Sequence, residues 1–118
     1  MDKELLRQYG IDYDKGLSNC MGDVAFYKTL MGMFLDDDCF PRARAAYAQH
    51  DYATLFSCLH ELKGVSGNAA LTELYKAVVP LVELLRGGTS DDAAVDTLFS
   101  QADAAYQRAC EGISLALR

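Results

Sequence analysis

Apolar residues recur every three or four positions along most of this chain, the spacing of helices with one buried face. Alternation of apolar and polar residues, the mark of a half-buried strand, is absent. The pattern therefore predicts an all-α fold. Four principal helices with short connections indicate an antiparallel four-helix bundle, to which a short extra N-terminal helix is added.

Residues that favour helix ends divide the chain into segments. The predicted segments, in order, are residues 3–9, a turn or short helix at 11–21, a helix at 23–49 with a break or kink at 37–41, and helices at 51–68, 71–86 and 89–117. Asp23 and Asp51 are candidate N-caps, and Thr89 or Ser90 is expected to start the last helix. Pro80 is expected to kink its helix.

The aspartate run Asp36, Asp37 and Asp38 is the reason for placing a break in the third segment. Negative charge is unfavourable at the C-terminal end of a helix but favourable at the start of a new one. Pro41 is also tolerated in a first helical turn.

The helical spacing also predicts which side chains face the core. These are Phe26, Leu30, Met33 and Phe34; Leu55, Leu59, Leu62 and Ala69; Leu74, Val78, Leu81 and Leu85; and Val95, Leu98, Ala102, Ala105, Ala109 and Ile113.

Composition narrows the class of protein. A chain of 118 residues that is 51% hydrophobic has the size and apolar content of one domain, expected to span residues 1–118. Its formal net charge of −6 argues against nucleic acid and anionic membrane surfaces as partners. No apolar run approaches the roughly 18 residues that span a bilayer, and the N-terminus is charged, so we expect a soluble, cytoplasmic protein.

The four cysteines, Cys20, Cys39, Cys58 and Cys110, do not pair at the spacing of a zinc site. Each lies beside apolar residues, which favours reduced thiols packed in the core. Helix breaking explains the aspartate run, so no metal site is expected there.

His60 is the residue most suited to chemistry. Ala53, Phe56, Gly64 and Gly67 lie at helical spacing from it and share its side of the helix. Each glycine inside a helix costs roughly 1 kcal/mol relative to alanine, so two of them beside a histidine indicate that something approaches closely there.

The run His60-Glu61-Leu62-Lys63-Gly64, with Gly67 after it, resembles the signature of histidine phosphotransfer (HPt) domains. The opening residues 10–17, followed by Gly22-Asp23 and Tyr27-Lys28, are similar to the N-terminal stretch of that family. The chain departs from the pattern at Ala70, where many members have glycine, and at Pro80.

The resemblance implies a four-helix bundle that relays phosphoryl groups in multistep two-component signalling. It implies that His60 is the phosphorylated residue, that Lys63 assists it, and that Gly64 and Gly67 clear space for the phosphoryl group and the partner. The expected partners are response-regulator receiver domains, or a hybrid sensor kinase. No cofactor is expected on this chain, since the Mg²⁺ and acidic pocket belong to the receiver.

The residue chemistry agrees with this role. Imidazole, with an ordinary pKa of about 6.5, is largely neutral and nucleophilic at cellular pH, and Nε2 projects farther from the helix than Nδ1. The Lys63 ammonium, three residues on, is able to neutralise phosphate oxygens. Phosphoryl transfer needs positioning and charge stabilisation more than an acid or a base, so the chain is expected to be a phosphocarrier rather than an enzyme.

Alternatives remain at several residues. Phe56 is either an exposed docking anchor or a residue at the edge of the core, and His50 is expected to be a junction residue. Tyr75 and Lys76 are candidates for the border of the docking surface.

The chief functional alternative is a non-catalytic helical adaptor that docks receivers without transferring phosphate. A thiol or metal site using Cys58 with His60 is disfavoured, because residues two apart point to different helix sides.

Overall fold

Seven helices and no strand make up the protein in a computed structural model that describes residues 1–118. The helices are α1 (Lys3–Gln8), α2 (Tyr13–Asn19), α3 (Val24–Asp36), α4 (Cys39–Ala48), α5 (Tyr52–Asn68), α6 (Thr72–Arg86) and α7 (Asp92–Ala116). The predicted all-α class is confirmed. Helix α5 packs against both α4 and α6, and α6 packs against α7. None of the seven helices combines the length and the apolar character that a membrane-spanning helix requires.

Aspartate side chains are the N-caps of most of the helices. Asp23 accepts a hydrogen bond from the backbone N–H of Phe26, and Asp51 accepts one from Thr54, so both predicted N-caps are confirmed. The start predicted for the last helix at Thr89 or Ser90 is wrong. Asp91 is the N-cap there, because a carboxylate competes well for the free N–H groups of a first turn.

The predicted break within the aspartate run is confirmed. Helix α3 ends at Asp36 and α4 begins at Cys39, whose N–H donates to the Asp37 carboxylate at 2.8 Å. Pro41 lies in the first turn of α4, where its missing N–H costs no helical hydrogen bond.

The predicted inward positions hold best in α5 and α6. All four residues predicted for each of those segments are buried. The prediction for α3 is wrong at Phe26 and Met33, which are 55% and 62% exposed. Tyr27 and Met31 are buried instead, so the inner stripe is rotated by about one residue.

In α7, Leu98 is half-buried rather than inward, and the larger Phe99 takes its place in the core. Neighbouring apolar residues at adjacent helical positions compete for one inward site, and tertiary packing decides between them. The other five residues predicted for the inner stripe of α7 are buried.

Tyr27 explains why the α3 stripe is rotated. Its buried hydroxyl donates a 2.7 Å hydrogen bond to the carbonyl of Ala69, the residue that ends α5. A Cβ at Gly16 would overlap the Tyr27 ring and hydroxyl, so the glycine in α2 leaves the room that this side chain fills. A polar contact between α3 and the end of α5 thus fixes the helix that carries His60.

The turn from α5 to α6 contains Ala70 with φ of 57°, a left-handed conformation. The N–H of Ala70 donates to Gly67 and that of Leu71 to Ser66, the hydrogen-bond pair of a Schellman helix end. The family glycine expected at this position would adopt the same conformation without strain. The departure at Ala70 therefore leaves the turn itself intact.

Candidate functional site

His60 lies on α5 with an exposed side chain, while Leu59 and Leu62 on the same helix are buried. The imidazole therefore points away from the core, as the spacing predicts. We call the set Ala53, Phe56, His60, Gly64 and Gly67 the His60 face. Its members follow one another along a single side of α5, which brings the predicted site residues together.

Phe56 lies beside His60, with 5.7 Å between the two ring centroids. The Phe56 side chain is half-buried and packs against the hydrophobic core. The interpretation of Phe56 as a residue at the edge of the core agrees with this packing, and its role as a docking anchor stays a prediction. The ring gives the histidine an apolar neighbour one turn towards the N-terminus of α5.

Lys63 is half-buried, and its Nζ lies 4.0 Å from Oε1 of Glu83 on α6. Oε1 of the same glutamate lies 3.4 Å from Nη2 of Arg86. Arg86 also places its guanidinium over the Phe56 ring, 5.6 Å from the centroid. Two cations and one carboxylate thus line the α6 side of the His60 face.

The two glycines of the His60 face differ in their surroundings. A Cβ built on Gly64 meets nothing within 4 Å, whereas one on Gly67 would touch the Tyr75 ring at 3.4 Å. Gly67 is therefore explained by helix packing against α6. No contact within the chain accounts for Gly64, and its open space is available to an outside molecule.

Tyr75 and Lys76, predicted as possible border residues, are both exposed on α6. Tyr75 is 37% exposed and covers Gly67 at one end of the His60 face. Lys76 also lines an open polar groove with Lys3 and Arg7 of α1. The structure thus places Tyr75, more than Lys76, beside the candidate site.

His50 lies at the junction between α4 and α5, as expected from the sequence. It has φ of 55° and ends α4 in a Schellman motif, in which Asp51 N–H donates to Ala46 and His50 N–H to Tyr47. Its side chain is exposed, and Nδ1 lies 3.5 Å from the Tyr52 hydroxyl. The role of His50 in ending α4 therefore accounts for its place in the fold.

The four cysteines are free thiols, and Cys110 alone is partly exposed. Burial raises the pKa of Cys58, and it raises that of Cys39 to about 12. The Cys39 thiol donates to the Cys58 carbonyl at 2.9 Å. No three His, Cys, Asp or Glu side chains come together as a metal site. A site shared by Cys58 and His60 is not formed, because the thiol is buried and the imidazole exposed.

Comparison with protein families identifies the chain. The family model of the Hpt domain matches residues 30–112, more than two thirds of the sequence. The chain belongs to the Hpt domain family. No curated protein and no solved structure matches it. The match begins after the opening segment of residues 10–28, whose similarity to the family stays a prediction.

Membership gives the general function. Hpt domains carry out histidine-containing phosphotransfer in two-component signalling and interact with receiver domains of response regulators. They are phosphocarriers rather than catalytic enzymes. His60, Lys63 and both glycines of the His60 face fall within the matched residues.

Sequence reasoning did not find Glu83 and Arg86. They lie more than 20 positions after His60, and only the packing of α6 on α5 brings them to the site. The available signal was their position on α6, three residues apart at the end nearest Gly87.

Proposed function

We propose that this Hpt protein is a phosphorelay intermediate in which His60 accepts a phosphoryl group from one receiver aspartate and passes it to another. The observation that carries the proposal is the exposed imidazole beside Gly64, whose missing side chain leaves open space. A receiver must bring a carboxyl phosphate within bonding distance of a ring nitrogen, and a flat, uncovered helix surface permits that approach.

The transfer step is an in-line displacement at phosphorus. A ring nitrogen of His60, Nε2 in our proposal, attacks with its lone pair and forms the N–P bond. The P–O bond to the receiver aspartate breaks, and its electron pair leaves with the carboxylate. The imidazole keeps its proton on the other nitrogen. Transfer to the next receiver is the reverse step with a different aspartate.

Lys63 is proposed to balance charge on the phosphoryl oxygens. It lies three residues after His60, so the two side chains share one edge of α5. Its ammonium is a flexible point charge that is able to turn from Glu83 towards a new anion. The charge it supplies stabilises the transferred group without taking part in bond formation.

Receiver docking is proposed to use the His60 face, with Phe56 as an apolar anchor. An aromatic ring that is partly exposed and firmly held by the core has the properties of an interface hot spot. Mg²⁺ and the acidic pocket are expected on the receiver. We further propose that residues 1–118 form one domain, that its principal helices are antiparallel, and that it acts in the cytoplasm.

Label transfer from phosphorylated receivers tests the proposal. Purified receiver domains are phosphorylated with labelled acetyl phosphate and mixed singly with the protein. At least one receiver should transfer an acid-labile, base-stable label. His60→Gln should abolish the transfer, and His50→Gln, the matched control at the other histidine, should not. Persistent labelling of the His60 variant would overturn the assignment.

The same experiment decides between a carrier and a non-catalytic adaptor. An adaptor would bind a receiver through the His60 face and take no label from it. Complex formation without transfer, measured by calorimetry beside the labelling assay, would therefore favour the adaptor.

A further inference from the structure

Glu83 stands out on the α6 side of the His60 face because it contacts two cations at once. Its Oε1 lies 4.0 Å from Nζ of Lys63 and 3.4 Å from Nη2 of Arg86. Lys63 comes from α5 and Arg86 from α6, so the carboxylate joins the two helices at this point. All three side chains are partly exposed and free to exchange partners.

Both cations lie on the α6 side of the His60 face, and they differ in their position along α5 relative to His60. Lys63 follows His60 by three residues. Arg86 covers the ring of Phe56, which precedes His60 by four residues. The Phe56 ring in turn lies 5.7 Å from the imidazole. Arg86 is thus a second cation at the border of the site, one contact removed from the imidazole.

A phosphoryl group on His60 would carry about two negative charges into this region. It would attract Lys63 and Arg86, which are already engaged by Glu83, and it would be repelled by the Glu83 carboxylate. Exposed ion pairs are weak and exchange readily, so the phosphoryl group is able to compete for both cations. This competition raises the free energy of the phosphorylated state and does not affect that of the unphosphorylated state.

Building on the proposed relay function, we infer that Glu83 is a positioning residue that destabilises the phosphorylated form of His60. In the unphosphorylated protein it holds Lys63 and Arg86 against α6. In the phosphorylated protein it competes with the phosphoryl group for these two cations. The carboxylate thereby favours onward transfer of the phosphoryl group over its retention on the histidine.

The test measures the equilibrium of phosphoryl transfer between the protein and the receiver that labels it. Glu83→Gln removes the charge and keeps the shape of the side chain. It should increase the equilibrium constant towards phosphorylated His60 by about threefold to tenfold, the size expected for removing one like charge near a partly exposed group. Glu83→Asp, which keeps the charge, should remain close to the wild-type value.

Glu73→Gln is the matched control, because it removes one acid from the same helix. Glu73 pairs with Arg108, away from the His60 face, at 2.7 Å. This variant should leave the equilibrium constant unchanged. The effect of Glu83→Gln should also shrink in about 1 M salt, where the Debye length is near 3 Å. A purely structural role of Glu83 would instead change the unfolding temperature and respond little to salt.

The outcomes separate the two proposals. If no receiver labels the wild-type protein, the relay function fails and the role of Glu83 fails with it. If the wild type is labelled but Glu83→Gln matches the wild-type equilibrium constant, only the role of Glu83 is overturned. A shift in Glu83→Gln that shrinks in high salt, with Glu73→Gln unchanged, supports the inference.

Discussion

Gly64→Ala should make the protein more stable and a poorer phosphoryl carrier at the same time. Gly64 lies inside α5, is exposed, and has nothing within 4 Å of the position that a Cβ would occupy. Alanine is favoured over glycine in a helix interior by about 1 kcal/mol. Since no clash offsets that gain, the free energy of unfolding should rise by about 0.5–1 kcal/mol.

The same methyl group should obstruct the receiver. It would project from the His60 face one turn after the imidazole, into the space that a docking receiver needs. In-line transfer is sensitive to displacements of about 1 Å, which cost as much as a hundredfold in rate. We therefore expect the transfer rate from a phosphorylated receiver to fall by about tenfold or more.

Gly32→Ala provides the matched control. Gly32 is also an interior helical glycine with nothing within 4 Å of a Cβ, but it lies on α3. Thermal unfolding followed by circular dichroism should show both variants melting about 2–4 °C above the wild type. Rapid-quench transfer kinetics should show a loss for Gly64→Ala alone. A Gly64→Ala protein that transfers at the wild-type rate would refute the role assigned to this open space.

Three further substitutions test the fold, each by its effect on the free energy of unfolding. Tyr27→Phe leaves the Ala69 carbonyl without its donor, so chemical denaturation should show a loss of about 1–3 kcal/mol, and no loss would contradict the assigned hydrogen bond. His50→Gly relieves a left-handed residue at an exposed helix end, so it should gain about 1 kcal/mol without altering phosphotransfer, whereas a loss would show that the side chain matters. Hydrogen bonds from Arg44 lower the pKa of Asp103, so this pair stabilises the fold above the ordinary carboxyl pKa of about 4, and the contribution is lost as pH falls through the lowered value. Asp103→Asn should therefore cost about 1 kcal/mol or less at neutral pH and much less once the pH falls below the lowered pKa of Asp103, and equal losses would contradict this.

The helices were predictable because their signals are local. N-caps, the aspartate run and the spacing of apolar residues depend on neighbours along the chain, and they place Asp23, Asp51 and the break before Cys39 correctly. The face of α3 was not predictable in this way. Phe26 and Tyr27 are adjacent aromatic residues, and the buried Ala69 carbonyl, distant in sequence, selects Tyr27 for the core.

The same distinction between local signals and contacts distant in sequence applies to the candidate site. His60, Lys63 and Gly64 lie within one turn of one helix, so their spacing brings them together without knowledge of the fold. Glu83 and Arg86 reach the site only because α6 packs on α5. Gly64 and Gly67 look alike in sequence, and only the position of Tyr75 separates a packing glycine from one that leaves open space.

Locating the phosphoryl group and following its transfer to a second receiver tests the central claim most directly. The protein is labelled by a phosphorylated receiver and separated from it. One portion is mapped by tandem mass spectrometry under alkaline conditions, and another portion is mixed with a second, unlabelled receiver. The account predicts a phosphorylated ring nitrogen on His60 and movement of the label to the aspartate of the second receiver. Label on any other residue, or label on His60 that no receiver removes, would contradict it.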